Sequence, residues 1–98
     1  MLATNLKSFS QSVSNLSANP QDQGLRESVN LESIVLCFLI GMAAKFHKGL
    51  LEHYAARIKG AFEQAISLLC CQSDHCLKFV KERWDEIRPV VEASIATH

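Results

Sequence analysis

The sequence predicts an all-α fold, a small helical bundle built on one long central helix flanked by an N-terminal and a C-terminal helix. Three observations carry that expectation. Apolar residues recur at steps of three and four near both ends of the chain. No stretch alternates with period two in β-branched residues, and no Asn-Gly or Asp-Gly pair offers a tight hairpin turn. Residues 31–70 contain no proline and no cluster of turn residues.

The first element is an amphipathic helix over residues 1–18. Leu2, Leu6, Phe9, Val13 and Leu16 are spaced four, three, four, three, the narrow stripe of a helix that packs along a single seam. The first thirty residues also hold six Ser, four Asn and three Gln, and because Ser and Asn are mediocre helix formers this helix depends on its partner surface. Asn19-Pro20 and the polar residues up to Gly24 end it, and residues 19–30 read as a polar turn or short helix.

The dominant element is a long helix over residues 31–70, with Asn30 as its N-cap and Glu32 in its first turn, where a carboxylate suits the helix dipole. Gly41, Gly49 and Gly60 interrupt it singly. A split after Lys48 is the alternative, but Leu50-Leu51-Glu52 supplies no cap for a new helix, so one long, bent helix is expected. The last helix covers residues 74–97 after a turn at Gln72-Ser73-Asp74. Its stripe is Leu77, Val80, Trp84, Ile87, Val91 and Ile95, and a kink or break is expected near Arg88, just before Pro89. The whole chain reads as one domain.

Projected at about 100° per residue, the central helix carries two apolar stripes. One contains Leu36, Ile40, Ala43, Leu50, Tyr54, Ala61, Ala65 and Leu68; the other contains Val35, Leu39, Met42, Phe46, Gly49, His53, Ala56 and Gly60. Two stripes exceed what one neighbouring helix covers. The first is assigned to the flanking helices and the second to a symmetric copy of the chain, with Met42, Phe46, Gly49, His53, Ala56 and Gly60 as the expected dimer interface.

Composition narrows the partners. Ten Lys plus Arg balance ten Asp plus Glu in 98 residues, and 48% of the chain is hydrophobic, which excludes wholesale disorder and argues against neutralising a polyanion as the main task. The opening lacks the apolar core of a secretory signal, so a cytoplasmic protein with reduced cysteines is expected. The uncharged apolar run from Ser33 to Ala44 rises about 18 Å as a helix, against a hydrocarbon core of roughly 30 Å. A buried core helix is therefore expected and a membrane partner is not.

Chemistry is thinly represented. Cys70, Cys71, His75 and Cys76 supply at best half a zinc site, since Cys37, His47, His53 and His98 form no second short-spaced pair, and no metal is expected. No Gly-rich loop cradles phosphate, adjacent His75 and Cys76 diverge on a helix, and Glu52 and Glu63 each sit four residues from a lysine as ordinary ion pairs. Trp84 reads as a core anchor. The chain is thus expected to be neither an enzyme nor a cofactor binder.

Two functions remain. The first is a small protein-interaction module (an adaptor, chaperone, inhibitor or accessory factor) that works as a homodimer. The second is a duplex-RNA or DNA binder using Lys45, Lys48, Arg57 and Lys59, which with Glu52 give residues 45–60 a formal charge of +3. In general plan, though without a shared motif, such a dimer is similar to the small viral suppressors of RNA silencing, helical proteins that bind duplex RNA. Lys48 facing Glu52 and Lys59 facing Glu63 at i,i+4 favour the first function, because such pairs mark a solvated face.

Overall fold

The computed structural model describes residues 1–68 and 78–96, and these fold into four helices with no strand among them. They are α1 (Leu2–Ala18), α2 (Gln23–Phe46), α3 (Lys48–Ser67) and α4 (Lys78–Ala96). Helix α1 lies along α2, α4 lies along α3 and against α2, and α1 touches α3, so the helices run round the bundle in the order α1, α2, α4, α3.

Helix α1 forms as its spacing predicts. All five stripe residues, Leu2, Leu6, Phe9, Val13 and Leu16, are buried, and the helix stops where the backbone turns at Asn19 ahead of Pro20. In α4 the stripe is equally faithful: Val80, Trp84 and Val91 are buried, with Ile87 and Ile95 packed at the margin. Phe9, Phe62 and Trp84 join three helices at the centre. The Phe9 and Phe62 ring centroids are 4.9 Å apart, and Phe62 stacks on Trp84 at 5.1 Å.

Two expectations about the elements are corrected. The second helix begins at Gln23, not Leu31: the Asp22 carboxylate accepts a hydrogen bond from the Leu25 amide at 3.2 Å and caps it. Asn30 and Glu32 therefore sit inside the helix, and Glu32 accepts from the Ser12 hydroxyl of α1 at 2.7 Å.

The single helix over residues 31–70 is divided at His47. There φ is −143° and ψ is 59°, outside the helical region, and the His47 carbonyl accepts from the Leu50 and Leu51 amides that open α3. A continuous helix over α2 and α3 would be about 66 Å long. The molecule's longest dimension is 37 Å, so the chain folds back at this point. The bend also resets the helical phase. Leu51, Ala55, Ile58 and Phe62 are buried in α3, whereas continuing the phase of α2 had placed Leu50 and Tyr54 inward.

Helix α4 continues through Pro89 without a break. Pro89 and Asp85 are both exposed, so the carbonyl that loses its amide partner lies on the solvent side of the helix. The expected turn at residues 72–74 lies outside the described residues, as do Leu77 and the start of the expected last helix.

Candidate interaction surface on the second helix

Helix α2 has two opposite apolar faces. Val29, Ser33, Leu36, Ile40 and Ala43 turn inward and are buried. Ser33 is accommodated because its hydroxyl donates to the Asn30 carbonyl at 2.7 Å and accepts from the Arg83 guanidinium of α4 at 3.1 Å. On the other side Leu31, Val35, Phe38 and Met42, spaced four, three, four, fall within about 60° of one another around the helix axis. Ile34 and Phe46 flank them.

This outer face is not covered by any part of the described chain. Leu31, Phe38 and Phe46 are 63, 67 and 65% exposed, and Ile34, Val35 and Met42 are each about half as exposed as they would be alone. At about 150–200 Å² for a large apolar side chain, the six leave roughly 600 Å² of contiguous apolar surface, the upper end for the largest patch on a monomeric protein. At its C-terminal end the face runs into a small apolar hollow lined by Met1, Leu2, Leu39, Met42, His47 and Leu50.

The expectation that this segment is a buried core helix is corrected accordingly: one face is core, and the other is open. Among the described residues α2 is the one helix long and apolar enough to cross a membrane. The twelve-residue limit applied to residues 33–44 fails because the helix extends ten residues further toward the N-terminus.

The residues expected at the dimer interface are all exposed, but the bend separates them. Met42 and Phe46 belong to the outer face of α2. Gly49, His53, Ala56 and Gly60 lie along α3, beyond His47. His53 meets Tyr54 edge-on at 4.8 Å, and Gly60 lines a groove between α3 and α1 with Ala3, Leu6 and Ser10. No neighbouring atom lies within 4 Å of where a Cβ would stand on Gly41, Gly49 or Gly60. Sequence reasoning missed Leu31, Ile34 and Phe38. All three lie within the helix expected over residues 31–70, but the stripe was followed from Val35 through Leu39 and Phe46 toward Gly60 and so passed them by.

The four expected nucleic-acid contacts do not share a face. Lys48 borders a groove against α4 with Val90 and Ser94, while Arg57 borders the groove against α1. Lys45, on α2, holds its ammonium 5.3 Å from the Phe46 ring centre, and Arg57 lies 5.7 Å from that of Tyr54. Lys59 pairs with Glu92 of α4 at 3.1 Å, which corrects the expected pairing with Glu63. The hydrogen bond from Lys59 holds the Glu92 carboxyl below its ordinary pKa, with Arg88 adding to the effect.

Among the described residues, nucleophilic and metal chemistry gain no geometry. Burial pushes the Cys37 thiol up to about 11, which disfavours the reactive thiolate. Among the described residues no group of three or more His, Cys, Asp or Glu side chains is placed to hold a metal ion. Cys70, Cys71, His75, Cys76 and His98 lie outside the described residues. The chain matches no protein-family model, and comparison with curated proteins and with solved structures gives no match.

Proposed function

We propose that this chain is a helical protein-interaction module that works as a homodimer, with the outer face of α2 as its interface. The observation that supports this reading is the apolar face of Leu31, Ile34, Val35, Phe38, Met42 and Phe46, carried on a helix whose opposite side is anchored in the core. Side chains held on a rigid, well-packed helix lose little freedom on association, so their desolvation favours binding with a small ordering cost. A duplex-binding role lacks comparable support, because Lys48 and Arg57 border opposite grooves and Lys59 is already paired.

The test is the mass in solution by light scattering at tens of micromolar. Wild type is expected at twice the chain mass. Phe38→Glu places a charge at the centre of the face and is expected to give a folded monomer. Phe79→Glu alters an exposed phenylalanine on a different helix, α4, and is expected to remain a dimer. A monomeric wild type rejects the reading.

A further inference from the structure

The outer face of α2 carries charge as well as apolar surface, and the charges are placed at its two ends. Glu27 lies in the first turns of α2 and Lys45 in its last, both exposed. Their separation of eighteen positions amounts to five helical turns, so the two side chains leave the helix on the same side, about 27 Å apart. They flank the same edge of the apolar face, one at each end.

We infer that two copies of α2 pair antiparallel, with Glu27 of each chain against Lys45 of the other. This inference rests on the proposed homodimer and adds its geometry. A two-fold axis crossing the helices at the level of Leu36 exchanges the two ends while keeping each side chain on its own lateral edge. Every Glu27 then meets a Lys45, and the acid and base that are too far apart within a chain become neighbours between chains.

The apolar residues fit the same register. Ile34 comes level with Phe38 of the other copy, and Phe38 with its Ile34. Leu31 comes level with Gly41, which is exposed and has open space where a Cβ would stand. Phe46 comes level with Arg26, whose side chain is buried, and so meets the outer face between the small residues Gly24 and Ser28. Large side chains thus oppose small ones at both ends, and two bulky pairs fill the centre. A parallel pair would instead stack Phe38 on Phe38 and leave each Glu27 without an opposing lysine.

Area and charge both favour a second copy over a lipid surface. Burying roughly 600 Å² on each chain gives about 1,200 Å² in total from six residues a side, the lower bound for a specific interface before the rim is counted. A helix that lies on a membrane carries Lys and Arg along the border of its apolar face. This face has an acid at one end and a base at the other, on a chain of zero formal net charge.

The experiment pairs a charge swap with a zero-length cross-link. Glu27→Lys and Lys45→Glu should each weaken the dimer about threefold to tenfold in dissociation constant, measured by sedimentation equilibrium, since each creates two like-charge contacts. The double swap should return the constant to near the wild-type value. Carbodiimide treatment of a mixture of isotope-labelled and unlabelled chains should yield a Glu27–Lys45 peptide pair of mixed label, because the distance within one helix forbids an intrachain link. Circular dichroism of each variant checks that the fold is retained. A dimer that Phe38→Glu dissociates, but that neither responds to the swaps nor gives the cross-link, overturns the antiparallel register and leaves the proposed interface standing. A monomeric wild type that floats with phosphatidylcholine–phosphatidylserine vesicles overturns both, assigning the face to a membrane.

Discussion

Trp84 anchors α4 in the core. It is 2% exposed and stacks on Phe62, which in turn meets Phe9, so its indole ties α4 to α3 and α1. Trp84→Ala should cost about 3–5 kcal/mol, the range for removing a large aromatic from a core. A domain of this size holds roughly 5–15 kcal/mol in total, so the variant should melt far below wild type or fail to fold, read by near-ultraviolet circular dichroism. A smaller effect belongs to Glu92. Its folded pKa is depressed by Lys59, so its contribution is present above the unfolded pKa and fades as the pH falls through the folded one. Glu92→Gln should lower the thermal midpoint slightly at neutral pH, and the difference should fade as the pH falls through the folded pKa and the wild-type carboxyl is protonated too. Because the pair is exposed to solvent, the neutral-pH difference should also shrink with added salt.

At the scale of the element, α1 and α4 were legible because a single seam leaves one reading of their pattern. Every one of Leu2, Leu6, Phe9, Val13 and Leu16 is buried, as the spacing requires. The bend at His47 was not legible, since no proline stands there and the nearest glycine follows two residues later. It is set by tertiary packing: only by folding back does the chain bring Leu51, Ile58 and Phe62 into the core. The magnitudes make this testable. His47→Ala raises helix propensity by no more than about 0.7 kcal/mol. Straightening the chain would expose those three side chains at about 1.5–3 kcal/mol each. The bend should therefore persist, and the small-angle scattering profile of His47→Ala should superimpose on that of wild type. A longer particle would mean that local propensity at His47 governs the bend.

Over the whole molecule, the sequence pattern announced a surplus of apolar surface, and the structure assigns it to one helix. Val35, Met42 and Phe46 were readable from the spacing, and all three are open to solvent. Gly49, His53, Ala56 and Gly60 were joined to them by extrapolating one helical phase across residues where the backbone turns, and the candidate site lies about three to four turns nearer the N-terminus as a result. A face of this kind couples folding to association. If the outer face of α2 is covered in a dimer, the folded dimer is favoured over two unfolded chains by mass action, and stability must rise with protein concentration. The thermal midpoint of wild type should therefore climb as the concentration is raised a hundredfold, from about 1 to about 100 micromolar. Phe38→Glu should show no such climb, and at the lowest concentration its midpoint should lie close to that of wild type, because Phe38 makes no contribution to the monomer core. Raising salt should preserve the wild-type climb, since an apolar interface is strengthened by excluded salts while a phosphate-dependent one is not. A midpoint independent of concentration would leave the α2 face with no role in self-association at these concentrations.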